Sequence, residues 1–232
     1  MKTLKNHTSA IVCLKILAND YLASGAEDCI DIWDLKIFQR LFSLFNQEDV
    51  SCIEQLFDGH TLLCTSSWHG QIRVWDLFKQ TCVNLFEAHK NRVVCLKALR
   101  LKEEDEEKDF FASGAFDGSI KIWNGLTCEC VDRLFFHSKA VSCLEFKKQD
   151  SQLISCSWDR SIAVWNLKEK NRLFRVLEEA HAHFISGIKL TSCGHLLSCS
   201  WDKNVKLWDL DSSECMQTIQ NRSPIHRFDS LI

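Results

Sequence analysis

A histidine, a serine, an aspartate and a tryptophan recur together along this chain at similar spacing. The first set is His7, Ser24, Asp28 and Trp33. Imidazole, hydroxyl and carboxylate are the groups of a hydrolase triad, in which they activate the serine as a nucleophile. Together with an indole, which only donates, the same groups can instead form a hydrogen-bonded chain that satisfies one buried polar site.

The number of such sets favours the structural role. Three further sets follow: His89, Ser113, Asp117, Trp123; His137, Ser155, Asp159, Trp165; and His181, Ser198, Asp202, Trp208. A catalytic triad occurs once, and the G-x-S-x-G turn of many hydrolases is absent from the sequence. We therefore predict that the chain is not an enzyme, and since we find no converging carboxylates in the sequence, an enzymatic role is the less favoured alternative.

The thirteen cysteines raise the question of zinc or disulfides. Four of them occupy one equivalent position inside apolar runs, namely Cys13, Cys52, Cys95 and Cys143. A residue type that recurs in this way is a packing residue, and free cysteine behaves as a small hydrophobe in a reducing compartment. Cys128 and Cys130 are separated by one residue, whereas structural zinc sites usually have about two to four. We expect no metal and no cofactor.

The charge and hydropathy of the chain exclude other classes. The net charge of −3 argues against nucleic-acid binding driven by charge. No apolar run approaches the ~20 residues of a membrane helix. We expect no membrane or nucleic-acid partner and a cytoplasmic location, with the nucleus as an alternative.

The elements that carry these residues repeat with a period close to 42 residues. Trp33, Trp75, Trp123, Trp165 and Trp208 are separated by 42, 48, 42 and 43 residues. Each unit contains four short apolar runs typical of strands, and this period is that of one four-stranded propeller blade. The predicted units, here called blades one to five, are approximately 7–45, 46–88, 89–136, 137–180 and 181–219, and 220–232 begins an incomplete sixth blade.

The sequence resembles the WD-repeat family of β-propellers over nearly its whole length. The resemblance implies an all-β fold of one domain, 1–232, in which inner strands near Ile11, Val50, Val93, Val141 and Ile185 surround a central axis. Family propellers most often have seven blades, so we expect an incomplete ring, with a closed ring of five blades as the alternative. Blade two departs from the pattern, with Asn46 in place of the histidine, His69 in place of the aspartate, and only Thr65 and Trp75 retained.

The resemblance also implies a partner-binding face. The position before the turn aspartate lies on that face in the family, and here it holds Glu27, Trp68, Phe116, Trp158 and Trp201. The positions three and five residues after the histidine lie on the same face, among them Asp49, Ser51, Arg92, Ser142, Phe184 and Ser186. Exposed Trp, Phe and Arg are residue types that anchor interfaces. The structural alternative is that each ring only covers the turn of the adjacent blade.

We therefore expect a protein-interaction scaffold that binds proteins or peptides within a multiprotein complex. A substrate-recognition subunit of a ubiquitin ligase is the alternative, and a propeller enzyme is a less favoured one. The charged stretch 101–109 is predicted to be a solvated loop between the first two strands of blade three. His183 is predicted to be an ordinary loop residue, because His181 fills the position in the repeat.

Overall fold

Strands make up almost all the regular structure of the chain. The computed structural model describes residues 3–27, 29–46, 49–56, 62–103, 106–169 and 172–225, without the side chains of 19, 62–67, 102–103 and 106. Within this part, the helical elements are two short 3-10 turns, Ala18–Asp20 and Lys148–Asp150. None of the described residues forms a helix long and apolar enough to cross a bilayer.

In the part of the chain that the structure describes, twenty strands form five antiparallel four-stranded sheets, one for each predicted blade. Blade one contains β1 (Cys13–Leu17), β2 (Tyr21–Gly25), β3 (Cys29–Asp34) and β4 (Gln39–Phe45). Blade two contains β5 (Val50–Leu56), β6 (Leu62–Ser67), β7 (Gln71–Asp76) and β8 (Thr81–Glu87). Blade three contains β9 (Val93–Glu103), β10 (Glu106–Ala115), β11 (Ile120–Asn124) and β12 (Cys130–Leu134). Blade four contains β13 (Val141–Lys147), β14 (Gln152–Ser157), β15 (Ile162–Asn166) and β16 (Leu173–Leu177), and blade five contains β17 (Ile185–Leu190), β18 (Leu196–Ser200), β19 (Asn204–Trp208) and β20 (Cys215–Gln220).

Every hydrophobic core lies between two blades. Phe111 and Trp123 on one face of blade three pack against Ile72 and Val74 of blade two. Similar clusters join blades one and two, three and four, and four and five. Because strand side chains alternate between the two faces of a sheet, each blade has one apolar face for each neighbour. A blade at the end of the series therefore has one face that no other described blade covers.

The two end faces show that the ring is open. Leu14 on blade one is 59% exposed, whereas its equivalents in the other blades are between 2% and 5% exposed. Those equivalents are Ile53, Leu96, Leu144 and Ile188. At the other end, Ile219 on β20 is 55% exposed, whereas Leu44, Leu134 and Leu177 at the same position are 2%, 3% and 7% exposed. The predicted incomplete propeller is confirmed, and the closed ring of five blades is wrong.

Two sequence expectations differ from the structure. The inner strand of blade one begins at Cys13, and Ile11 is an exposed residue before it. The charged stretch 101–109 is not a loop, because β9 and β10 extend through most of it as a paired hairpin. Arg100 Nε donates to Asp109 Oδ1 across this ladder at 2.7 Å, and Leu101 is buried against blade four. Most of this charged stretch therefore lies in paired strands rather than in a solvated connection.

Candidate protein-binding face

The tetrads of blades four and five are continuous hydrogen-bonded chains. Trp165 Nε1 donates to Ser155 Oγ at 2.8 Å, and this hydroxyl lies 2.8 Å from His137 Nε2. His137 Nδ1 lies 3.0 Å from Asp159 Oδ2. Because a carboxylate accepts only, Nδ1 carries the proton and Nε2 accepts from the serine. In blade five the corresponding distances, for Trp208, Ser198, His181 and Asp202, are 2.8, 2.7 and 2.9 Å.

In blades four and five, the aspartate of the tetrad joins two loops that form one face of the propeller. Asp159 accepts the backbone N–H of Ser138, before the inner strand, and that of Ser161, in the turn between the second and third strands. Burial acts to raise the pKa of the Asp159 carboxyl, but hydrogen bonds from His137 and Ser161 outweigh it and hold that pKa below its usual range. The carboxylate therefore stays ionised and holds the two loops together.

Blade three reaches its aspartate through an additional serine. His89 Nε2 lies 2.7 Å from Ser113 Oγ, while Nδ1 lies 3.0 Å from Ser119 Oγ, which donates to Asp117 Oδ1 at 2.6 Å. Trp123 donates to Ser113 at 2.8 Å, as in the other blades. Burial, with a smaller effect of a nearby lysine, lowers the pKa of His89 to about 4. The ring is therefore neutral at pH 7, as this hydrogen-bond pattern requires.

Blade one contains part of the tetrad and an additional buried carboxylate. His7 Nε2 bonds Ser24 Oγ at 2.6 Å, and Trp33 Nε1 donates to the same oxygen at 2.8 Å. Asp28 lies outside the described residues. Buried Asp31 approaches His7 Nε2 at 3.4 Å, whereas Cys29 Sγ approaches Nδ1 at 3.6 Å. These nitrogens point to opposite sides of the imidazole, so the three groups do not converge on one metal position.

Blade two replaces the histidine link with a different buried pair. Arg73 donates to Asn46 Oδ1 at 2.6 Å, and both residues are buried. Trp75 is buried at its usual place, and the side chain of Thr65 lies outside the described part. His69, at the aspartate position, is exposed on the turn.

The tetrad serines are inaccessible to a substrate. Ser113, Ser155 and Ser198 are fully buried, and Ser24 is nearly so. Each hydroxyl already accepts a hydrogen bond from an indole and lies against an imidazole. A nucleophile must reach the reacting atom, so these sets hold loops rather than perform acyl transfer.

The loops fixed in this way carry the residues predicted to bind a partner. In blade three the backbone N–H of Phe116 donates to the carbonyl of Arg92 at 2.9 Å. In blade five Trp201 donates to Phe184 in the same way at 3.1 Å. This repeated bond explains why the position before the aspartate and the position three after the histidine lie side by side. The aromatic side chains thus stand on backbone that is already ordered.

Five rings form a continuous aromatic ladder across blades three to five. Phe116 meets Trp158 edge to face with ring centroids 5.4 Å apart. Trp158 stacks on Phe184 at 5.4 Å with an interplanar angle of 15°, and Phe184 contacts Trp201 at 6.2 Å. His183 completes the ladder by stacking on Trp201 at 6.0 Å. Phe116 and Trp201 are each 44% exposed, so the ladder presents apolar ring surface to solvent.

The remaining predicted residues lie around the ladder. The Arg92 guanidinium stacks over the exposed Trp68 ring, with its carbon 3.4 Å from the centroid. Glu27 and Asp49 are exposed on blades one and two, at the other end of the series. The structure thus brings the aromatic residues of blades three to five into contact, while the two acidic residues belong to the blades before them.

Sequence reasoning misassigned some residues on this face. Ser51, Ser142 and Ser186, predicted to lie on it, are buried. The hydroxyls of Ser51 and Ser142 donate to a carbonyl of the following inner strand, and that of Ser186 donates to the carbonyl of Ile225. His183 belongs to the ladder, and Lys139 Nζ lies 5.5 Å from the Phe184 centroid. The sequence signal for including His183 was its position next to Phe184. Lys139 directly precedes the position three residues after His137, and nothing in the sequence marked it as part of this face.

The four-stranded blades and repeated tetrads match a known family. Four segments match the family model described as "WD domain, G-beta repeat": residues 38–76, 80–124, 128–166 and 172–209. The chain belongs to this WD40 family. Each matched segment begins at the outer strand of one blade and ends at the third strand of the next, so one WD40 repeat links two blades. Members of the family typically serve as protein-interaction scaffolds and are generally not enzymes.

Curated relatives match over part of this WD40 protein. Cell division control protein 4 of Saccharomyces cerevisiae is 30% identical over 102 residues, which cover 43% of this chain and 13% of that protein. The p21-activated protein kinase-interacting protein 1-like of Xenopus laevis is 33% identical over 92 residues, which cover 39% of this chain and 24% of that protein. Protein transport protein Sec31A of Danio rerio is 31% identical over 98 residues, which cover 39% of this chain and 8% of that protein. The matched segments thus span at most 24% of the length of these relatives.

Proposed function

We propose that this chain is a non-enzymatic scaffold that binds a protein or peptide on the face carrying the aromatic ladder. The observation that carries the proposal is the contact of Phe116, Trp158, Phe184, Trp201 and His183 across three blades. Half-exposed aromatic rings in contact provide the large apolar anchors that dominate interface energetics. The cytoplasmic location expected from the sequence forms part of this proposal.

The rigidity of the face supports the same function. Backbone hydrogen bonds fix the ladder positions, and the tetrads below them hold the loops. A preorganised surface loses little conformational entropy when it binds. The Xenopus relative is named for an interaction with a kinase, in line with a binding role.

Proximity cross-linking of the full chain in cells, read by quantitative mass spectrometry, tests this function. The double variant F116A/W201A removes the exposed ends of the ladder. The matched control F78A/L126A removes two strongly exposed apolar residues from turns at the opposite end of the blades. We expect a defined set of proteins to be lost about tenfold or more from the first variant and retained by the second. Equal sets from both variants would contradict the proposal.

The same experiment distinguishes the ubiquitin-ligase alternative. A substrate-recognition subunit would retain ligase subunits in both variants and lose only its substrates in F116A/W201A. A scaffold without this role would recover no ligase subunits with either variant.

A further inference from the structure

The turn between β17 and β18 of blade five carries a cysteine and a histidine that the repeat does not explain. Cys193 in this turn is exposed, whereas Cys95, one of the cysteines at a repeated position, is buried in a core between two blades. The corresponding turn of blade four contains Lys148–Asp150 and has neither residue type. Since β17 begins next to Phe184 and runs away from the aromatic ladder, this turn lies at the opposite end of the blade. Any chemistry of Cys193 is therefore separate from the ladder.

The turn holds the Cys193 sulfur between a hydroxyl and an imidazole. Cys193 Sγ lies 3.1 Å from Thr191 Oγ1 and 3.3 Å from His195 Nδ1. The backbone N–H of Thr191 donates to the carbonyl of His195 at 2.9 Å and closes the turn. Gly194 has a φ of +88°, a conformation that glycine adopts without strain. The sulfur thus meets a hydroxyl and a base on ordered backbone.

Both neighbours favour the thiolate form of Cys193. A hydrogen bond from the Thr191 hydroxyl, joined by bonds from the backbone N–H and the ring of His195, lowers the pKa of the Cys193 thiol from its usual value. The Thr191 hydroxyl also lies 3.0 Å from the His195 carbonyl, but that carbonyl keeps the Thr191 N–H when the hydroxyl turns to the sulfur. Asp209, on the turn after β19, interacts electrostatically with His195 and favours a protonated imidazole.

A pocket of about 580 Å³ lies beside this turn. Thr191, Ser192 and Gly194 form part of its wall, and most of the remaining wall comes from blades three and four. A Cβ placed on Gly194 would lie 4.0 Å from Lys147 Cε, so this lysine reaches the turn. Because Thr191 both lines the pocket and contacts the Cys193 sulfur, a molecule in the pocket lies close to the thiol.

The pocket carries an excess of positive charge. Its charged lining residues are four cations and one carboxylate, namely Arg100, Lys147, Lys148, Lys168 and Glu107. Three of these cations already pair with Glu107, Asp150 and Asp109, at 3.0, 2.6 and 2.7 Å. Lys168 is exposed and has no ion-pair partner among the residues that the structure describes. A pocket of this charge attracts anions, and carboxylates are the groups that lysine and arginine bind well.

We propose that Cys193 is a site of thiol–disulfide exchange with small disulfides that carry carboxylates. His195 Nδ1 takes the proton of the thiol, and the thiolate attacks one sulfur of the disulfide. A new S–S bond joins that half to Cys193, the original S–S bond breaks, and the other half leaves as a thiolate that receives the proton from His195. The cysteine sulfur is oxidised and the leaving half is reduced. The cations of the pocket hold the carboxylates of the disulfide beside the turn.

The reaction of the full chain with glutathione disulfide, a small disulfide of net negative charge, tests the reactivity of Cys193. Mass spectrometry follows the mixed disulfide at each cysteine over time at neutral pH. Two exposed cysteines, Cys130 and Cys215, are controls within the same molecule, since their sulfurs contact backbone carbonyls at 3.5 and 3.6 Å instead of an imidazole. We expect Cys193 to react about tenfold faster than either control.

His195→Gln should slow the reaction at Cys193 about fivefold or more and leave the two control cysteines unchanged, because it removes the base but keeps a polar side chain. Cys156 and Cys199 are fully buried, so their lack of modification confirms that each variant is folded. Equal rates at Cys193 and the control cysteines in the wild type would overturn the proposal. An H195Q variant that reacts like the wild type would also overturn it.

The role of the pocket is tested with cystamine, a small disulfide whose charged groups are ammonium. The double variant K148Q/K168Q should slow the reaction of Cys193 with glutathione disulfide about threefold and should not slow that with cystamine. The matched control K36Q/K79Q removes two exposed lysines from turns of blades one and two and should change neither rate. Equal slowing with both disulfides, or equal slowing by both double variants, would contradict the binding of carboxylates in this pocket.

Discussion

At the scale of single residues, the tryptophans of this protein form two groups with different roles. Trp165 is buried and donates to Ser155 beneath the blade interface, whereas Trp158 is half-buried and stacks on Phe184 at the surface. Replacing the first removes core volume and leaves a buried hydroxyl without its donor. Replacing the second removes surface ring contacts.

We therefore expect Trp165→Ala to cost roughly 3–5 kcal/mol of unfolding free energy and Trp158→Ala clearly less. Trp208 and Trp201 form a second matched pair and should behave in the same way. Denaturant titrations of the four variants measure the difference. Equal losses within each pair would mean that the surface tryptophans are core residues.

The buried histidine of blade three makes stability depend on pH. An unperturbed histidine titrates near pH 6.5, and the pKa of His89 in the folded chain is about 4. Between these values the unfolded chain binds more protons, so stability falls as the pH drops from 6.5 towards 4. The full shift corresponds to about 3 kcal/mol.

His89→Asn, which copies the natural Asn46 of blade two, removes this titration. Its unfolding free energy should therefore fall less steeply over the same pH range than that of the wild type. Urea titrations at several pH values provide the comparison. Identical slopes for the two proteins would show that His89 does not carry this proton linkage.

At the scale of strands and blades, blade two differs most from the others. Its Asn46 and Arg73 form a buried pair, but His69 on the turn cannot replace the aspartate that joins two loops in blade four. We expect β5 and β6 to open at lower free energy than β13 and β14. Hydrogen exchange resolved by strand measures this difference. Better protection of blade two than of blade four would remove the tetrad from the explanation of blade stability.

Much of the strand and blade architecture could be predicted from the sequence, because the same residue pattern recurs in several units. The spacing of Trp33, Trp75 and their equivalents predicted the five sheets, and the structure confirms them. The extended hairpin of blade three was predicted wrongly, because exposed strand positions and solvated loops have the same charged composition. Only the cross-strand partner, such as Asp109 opposite Arg100, distinguishes them. The aromatic ladder likewise depends on side-chain contacts between blades, which a single repeat does not specify.

At the scale of the whole molecule, the two end blades each leave one apolar face uncovered. The apolar side chains of Leu14 and Ile16 are exposed on blade one, and that of Ile219 is exposed on blade five. Burying each such side chain is worth about 1.5–3 kcal/mol, so association that covers these faces is favourable. The open arc therefore differs from a closed ring, in which every blade has two neighbours.

We expect the isolated 232-residue chain to associate with itself or aggregate, as measured by size-exclusion chromatography with light scattering. The double variant L14K/I16K should reduce this association, because it places charges on the uncovered face of blade one. The matched variant L144K introduces the same charge at the equivalent buried position of blade four, and there it should unfold the chain rather than keep it soluble. A wild-type chain that is monomeric at all concentrations tested and melts cooperatively would mean that the end faces are covered within one molecule. In that case, lysine at position 14 should destabilise the fold as much as lysine at position 144 does.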